Sequence, residues 1–322
     1  MKVFVTGGTG FVGSHLVEAL LAEGAETFVL LRNPKNPGWL TGLDIHALKG
    51  DLFSIPPLPR DLDTVFHLAG IAKSTQTAVY YTVNHLGTAS LLDALDHQGL
   101  KPKFVHVSSI SAGGPSFGGR FRLESDPPSP VSPYGRSKRL GEEEVLRRKD
   151  ILPVTILRPG VIFGPRDKDL VSYLKILKLG LLPILSQDTL RVSSIYIKDA
   201  VRAMLRFLHP PQRSGEIYHI ADSPPLDLTE VSRKTAAFLG RTCIPVRISR
   251  KAAHFFLLLA GQAARFAGAR PSLNRNFYLE LIHGDWAVDI RKAAEELPFR
   301  AETPLAEALA ETLDWYKRKG WL

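Results

Sequence analysis

Cysteine is nearly missing from this 322-residue chain, where Cys243 stands alone. A single thiol closes no internal disulfide and builds no cysteine-based metal site. The chain therefore fits a reducing compartment, and a cytoplasmic location is expected. A metal-binding pattern is missing as well: the ten histidines fall at no spacing that suggests a site, so no metal is expected. His67 and His106, inside strand-like runs, and His219 read as core residues with satisfied rings. Nor is there a long unbroken apolar run. The richest stretch, Ala252 to Ala267, is broken by His254, Gln262 and Arg265, whereas a membrane span needs about 20 apolar residues. It reads as a buried or amphipathic helix; the other reading is a face that rests on a membrane or meets a lipid-like substrate. The opening MKVFVTGG carries one lysine and then strand-like residues, with no apolar stretch leading to a small-residue cleavage site. No secretory signal is expected.

Positive charge is what the chain has in excess: 41 Lys and Arg against 32 Asp and Glu, a formal +9. Such a balance attracts anionic partners. The densest basic cluster, Arg136, Lys138, Arg139, Arg147, Arg148 and Lys149, is interrupted by Glu142, Glu143 and Glu144. That pattern reads as a solvated helix face rather than a nucleic-acid groove. The expected partner is a small-molecule substrate, with no nucleic acid and no membrane.

Short β-rich runs alternate with helical patterns through the first two-thirds of the chain. Strands are predicted at Val3–Val5, Thr27–Leu31, Ile45–Leu48, Thr64–Leu68, Phe104–Val107 and Val154–Leu157, with a further sheet strand at Glu216–Ile220. Helices are predicted over Phe11–Glu23 and around Thr88–Asp96. Strands separated by helices pair in parallel through right-handed crossovers. The expected fold class is α/β, a doubly wound parallel sheet with a smaller, mostly helical C-terminal lobe. Residues 1–162, with 190–222 returning to them, should form the sheet domain; residues 163–189 and 223–322 should form the substrate lobe. The Gly-, Pro- and Ser-rich segment Gly113–Pro133 should be a long loop over the active side.

Three motifs carry chemistry. Gly7, Gly8, Thr9, Gly10, Phe11, Val12 and Gly13 directly follow the first strand and open the first helix. Glycines allow a tight turn and close approach of backbone to a pyrophosphate, and the helix N-terminus offers free N–H groups. A ribose 2′-hydroxyl is usually held by an acidic residue at the end of the second strand. Here that position holds Arg32, with Lys35 close behind and no carboxylate. Arg32 could pair with a 2′-phosphate, which favours NADP over NAD. The other reading has Arg32 stacked on adenine or facing solvent, with NAD bound.

The second motif is Ser132-Pro133-Tyr134-Gly135-Arg136-Ser137-Lys138. Ser132 suits an N-cap and Pro133 the first helical position. Tyr134 and Lys138 then share one face of the helix at i and i+4, and no other tyrosine here has lysine at that spacing. A free phenol titrates near 10; a nearby ammonium lowers that value, so the phenol can exchange a proton with a substrate oxygen. The third motif is Ser108-Ser109-Ile110-Ser111, at the C-terminal end of a strand where open α/β sheets bind ligands. Ser109 is the favoured donor to the substrate oxygen, with Ser111 the runner-up.

Together these motifs resemble the extended short-chain dehydrogenase/reductases, the NAD-dependent epimerase/dehydratase family. The likeness spans nearly the whole chain. Thr6–Gly13 is similar to the family's TGxxGxxG turn. Gly50-Asp51-Leu52 resembles its GD-apolar element, which implies that Asp51 holds the adenine amino group. His67-Leu68-Ala69-Gly70 resembles the loop running past the cofactor, and Val83-Asn84-His85-Leu86-Gly87-Thr88 the asparagine-bearing helix. Ser109, Tyr134 and Lys138 fall in the triad positions. Arg158-Pro159-Gly160 resembles the branch with 3β-hydroxysteroid dehydrogenases and dihydroflavonol reductases, whereas nucleotide-sugar enzymes commonly carry Arg-aromatic-Phe-Asn there. The resemblance implies an NAD(P)-dependent enzyme interconverting a secondary alcohol and a ketone, and it is compatible with a homodimer. A nucleotide-sugar epimerase or dehydratase is the second reading.

Overall fold

The computed structural model describes residues 1–184, 190–208, 213–247, 279–280 and 282–322. Among these residues seven strands form one parallel sheet. They are β1 (Lys2–Thr6), β2 (Glu26–Leu31), β3 (His46–Lys49), β4 (Thr64–His67), β5 (Lys103–Val107), β6 (Val154–Pro159) and β7 (Glu216–Ile220). Their order across the sheet is β7-β6-β5-β4-β1-β2-β3. All seven predicted strands are present, the weak third one as an exposed edge.

Alternation explains why these segments are strands. Val3 and Val5 point into one apolar cluster and Phe4 into the other, so β1 is covered on both faces. The first face is covered by α1 (Phe11–Ala22), through Leu16, Val17 and Leu20, and by α6 (Ile197–Leu205). The second is covered by α2 (Gly87–His97), through Leu91, Leu92 and Leu95, and by Val145 of α4 (Pro133–Leu146). Each such aliphatic side chain contributes about 1.5–3 kcal/mol on burial.

The connection from β1 runs to β2 and that from β4 runs to β5, in opposite directions across the sheet. That reversal opens a crevice at the carboxyl ends of the strands. A four-residue helix α3 (Ile110–Gly113) follows β5, and α4 packs beside it. Ser132 caps α4 by accepting the Gly135 N–H at 2.9 Å, with Pro133 in the first turn. The loop from Gly114 to Pro130 is pinned by Arg122, which donates to the carbonyls of Pro115 (2.9 Å) and Pro127 (2.5 Å).

Beyond β6 lie α5 (Lys168–Lys178), α7 (Leu228–Phe238) and α8 (Leu305–Arg318). Val171, Leu174 and Leu177 of α5 pack on Leu313 and Tyr316 of α8 in a separate cluster. The Tyr316 hydroxyl donates to the Asp167 and Gly164 carbonyls at 2.7 and 3.0 Å. No helix among the described residues is long and apolar enough to cross a membrane. The apolar stretch 252–267, including Phe255–Leu259, lies outside the described residues.

Candidate active site

The glycine turn is shaped by what a side chain would strike. Gly7 has φ +76°, and a Cβ there would come within 2.6 Å of the Ala69 nitrogen. A Cβ on Gly13 would lie 2.2 Å from the Gly7 carbonyl oxygen. The first turn of α1 has no side-chain cap and no acidic residue, so its N–H groups and dipole are open to an anion. Thr9 and Gly10 are exposed, while Phe11 and Val12 pack partly into the core. The turn thus fits a pyrophosphate. Arg32 follows β2, exposed and with no ion pair among the described residues. Asp51 follows β3, exposed, its carboxylate accepting the Phe53 N–H at 2.9 Å. Leu52 is buried, and Leu68, Ala69 and Gly70 run beside the turn from the end of β4. Pro159 ends β6, buried. Every predicted cofactor residue lies at the same end of the sheet or in the turn there.

A buried polar chain connects this side to the next. Thr88 gives its hydroxyl proton to the Asn84 carbonyl at 2.9 Å, so it accepts from His67 Nε2 at 2.9 Å. His67 Nδ1 then accepts from the Thr6 hydroxyl at 2.7 Å, and Thr6 accepts from the Ala69 N–H at 3.3 Å. Burial lowers the His67 pKa to about 3, which keeps the ring neutral.

Ser109 and Tyr134 meet, and Lys138 lies one helical turn beyond Tyr134 on α4. Ser109 caps α3, its hydroxyl accepting the Ser111 N–H at 3.1 Å, and it hydrogen-bonds the Tyr134 hydroxyl. The Tyr80 ring meets the Tyr134 ring edge-on, with centroids 6.2 Å apart. Lys138 Nζ is buried and donates to the Val107 carbonyl at 2.8 Å. Burial lowers its pKa to about 8, against the pull of the Glu142 carboxylate. The phenol behaves otherwise than the ammonium argument expects. Burial, then the negative charge of Glu280, push Tyr134 above its ordinary value, with only the Ser109 hydrogen bond pulling it down.

Behind the helix lies a feature that the sequence reading passed over. Glu142 continues the face of Tyr134 and Lys138 at i+8. It is fully buried and pairs bidentately with Arg158 of β6 at 2.8 and 2.6 Å. Ser108 donates to the same carboxylate at 2.7 Å, and Arg139 lies 3.3 Å from it. The basic cluster of α4 is therefore no uniform solvated face, because Lys138 and Glu142 point inward. Asn84, named above only as part of a family element, is also fully buried. Its side chain bonds the Ile71 N–H and carbonyl at 2.8 and 3.0 Å and the Ser137 hydroxyl at 2.9 Å.

Other expectations shift. Arg166 pairs with Glu18 at 2.6 Å, bonds Ser14 at 3.0 Å and lies over the Trp39 ring. His67 is satisfied as expected, but His106 is not: neither of its buried ring nitrogens has a hydrogen-bond partner among the described residues. His219 Nε2 is likewise unpartnered. Burial holds both rings far below the usual histidine range.

A glycine turn at the switch point of a doubly wound sheet, with Ser109 hydrogen-bonded to Tyr134 at the carboxyl ends of the strands, marks a dinucleotide-binding Rossmann enzyme. The profile of the NAD dependent epimerase/dehydratase family matches residues 3–221. The chain belongs to that family and is an enzyme of the extended short-chain dehydrogenase/reductase type. It is 29% identical over 329 residues to a ceramide reductase of Caulobacter vibrioides, covering 99% of this chain and 96% of the relative. A 3-beta-hydroxysteroid dehydrogenase of Mycolicibacterium neoaurum is 26% identical over 345 residues, covering 98% and 91%. Among solved structures, MoeE5 in complex with UDP-glucuronic acid and NAD superposes with a TM-score of 0.76 at 27% identity, covering 99% and 100% of the two chains.

Proposed function

We propose that this protein interconverts a secondary alcohol and a ketone on a small, apolar-bodied substrate, using Ser109, Tyr134 and Lys138 and a nicotinamide cofactor. The observation that carries the reading is the Ser109–Tyr134 hydrogen bond at the carboxyl edge of the sheet, with Lys138 buried four residues on. When bound, the nicotinamide supplies or accepts the hydride at the substrate carbon. The Gly7–Gly13 turn and the first-turn N–H groups of α1 hold the pyrophosphate, Asp51 the adenine amino group and Lys138 the ribose. Arg32, exposed and without a described counter-ion, suits a 2′-phosphate and favours NADP over NAD. In reduction the Tyr134 hydroxyl gives its proton to the substrate oxygen, and in oxidation the phenolate takes it back. Ser109 holds that oxygen in place. The phenol is protonated at neutral pH, the form reduction needs, and burial only reinforces that form. The substrate body lies between the sheet edge and the described helices α5, α7 and α8.

A second reading, a nucleotide-sugar epimerase that re-reduces its own intermediate, draws on the MoeE5 likeness. Net redox separates the two. On a panel of apolar ketones and UDP-sugars, the first reading expects NAD(P)H absorbance to fall in step with alcohol formed. Product without absorbance change supports the second. Tyr134→Phe should lower turnover by about 100-fold or more with cofactor affinity retained; unaltered turnover removes Tyr134 from the chemistry.

A further inference from the structure

Glu280 stands 142 residues beyond Lys138 in the chain, yet it reaches the same shelf. Its Oε1 accepts from the Ser132 hydroxyl at 2.8 Å, and the Ser111 hydroxyl bonds the same carboxylate. Its backbone carbonyl accepts the Trp286 indole N–H at 2.8 Å. The carboxylate is therefore tied to the start of both helices that carry the Ser–Tyr–Lys cluster: Ser132 caps α4, and Ser111 lies in the first turn of α3. It is half-buried, and no cation pairs with it among the described residues. Its charge acts on Tyr134, one of the causes that hold that phenol high.

An ionised carboxylate has about four lone-pair positions and donates nothing. Two serine hydroxyls occupy part of that capacity. The remainder faces the reacting end of a substrate held by Tyr134, because the serines that hold the carboxylate, Ser132 and Ser111, stand two residues from Tyr134 and from Ser109. An O–H or N–H on the carbon beside the reacting one would gain a charge-assisted hydrogen bond. A carboxylate or phosphate there would meet a like charge in a low-dielectric setting.

We propose that Glu280 is the specificity-determining acceptor at the reacting end of the substrate, selecting a neutral ketone or alcohol with an O–H or N–H on the adjacent carbon and rejecting an acid there. The assignment rests on the oxidoreductase reading and names its substrate class. It also narrows the substrate by charge: whatever the length of the apolar body, the carbon beside the reacting one carries a neutral donor.

The test uses four ketones of one chain length: a plain methyl ketone, its α-hydroxy and α-acetamido derivatives, and the corresponding α-keto acid. NAD(P)H oxidation is followed for wild type, Glu280→Gln and Glu280→Asp. Wild type should prefer the two donor-bearing ketones over the plain one in kcat/KM by about 10–100-fold, with the keto acid poorest. Glu280→Gln should reduce that preference by about tenfold or more and relax rejection of the keto acid. Glu280→Asp, which keeps the charge, should retain part of the preference and serves as the readout if the Gln variant fails to fold. A uniform change across all four substrates in either variant overturns the Glu280 assignment and leaves the oxidoreductase reading standing. A wild type that binds NAD(P)H yet reduces none of the four overturns the oxidoreductase reading, and the assignment with it.

Discussion

On one side of the crevice, Gly7 to Gly13 offers a ligand almost nothing but main-chain N–H groups. On the other, Ser109, Tyr134 and Lys138 offer side chains, held from behind by Asn84 and Glu142. The first surface is defined by space: atoms added at Gly7 and Gly13 strike backbone at 2.6 and 2.2 Å, where nothing can yield. The second is defined by charge and hydrogen bonds, so damage there should be graded and sensitive to pH. The difference teaches that one crevice can be lost in two ways, by overlap on the cofactor side and by loss of pairing on the acid/base side.

The sharpest break should come from Gly13→Ala, whose Cβ would sit 2.2 Å from the Gly7 oxygen. NAD(P)H binding, followed by fluorescence titration, should weaken about a thousandfold or more; unchanged affinity would show that the turn yields. Next comes Glu142→Gln, which strands Arg158, only 1% exposed. Urea melts should register a loss of about 3–5 kcal/mol, and the double replacement Glu142→Leu with Arg158→Met should recover much of it. A loss within 0.5 kcal/mol, the size of an ordinary surface change, would mean that water reaches the pair.

Lys138 gives a pH test. Its folded pKa, about 8, lies below its unfolded 10.5, so the unfolded chain binds more protons between those values. Stability should rise from pH 8 to 10 by up to about 1.4 kcal/mol per unit. Tyr134 acts above that window: its folded value is raised from 10.0, so stability falls as pH climbs beyond the unfolded tyrosine value. The rise should vanish in Lys138→Met; an identical slope in both proteins refutes burial of the ammonium. The smallest effect belongs to Arg32→Ala, which should weaken NADP(H) about tenfold more than NAD(H) in the same titration. Equal losses would end the 2′-phosphate role.

What could be read from the sequence tracks distance along the chain. The seven strands announce themselves through apolar runs, and the Gly7–Gly13 turn and Tyr134–Lys138 pair through spacings inside one element. Glu142 obeys the same rule, one more helical step along the Tyr134 face, but beside Glu143 and Glu144 it reads as solvated charge. Helical spacing gives the face, and it was the Arg158 side chain from β6 that made burial affordable in electrostatic terms. Glu280 has no local signal, because the serines that hold its carboxylate, Ser132 and Ser111, are 148 and more residues away in the chain. Arg166 likewise gives no local signal of its pairing, since its partners lie on α1 and its ring contact on Trp39.

The hydroxyl–imidazole chain from Ala69 through Thr6, His67 and Thr88 to the Asn84 carbonyl has a further consequence. Each hydroxyl owns one proton, and the ring is too deeply desolvated to take a second near neutrality. The donors consequently all run the same way and no member can turn alone. The strand that ends at the phosphate turn and the helix that bears Asn84 are locked into one register, and a ligand that shifts either must carry the other with it.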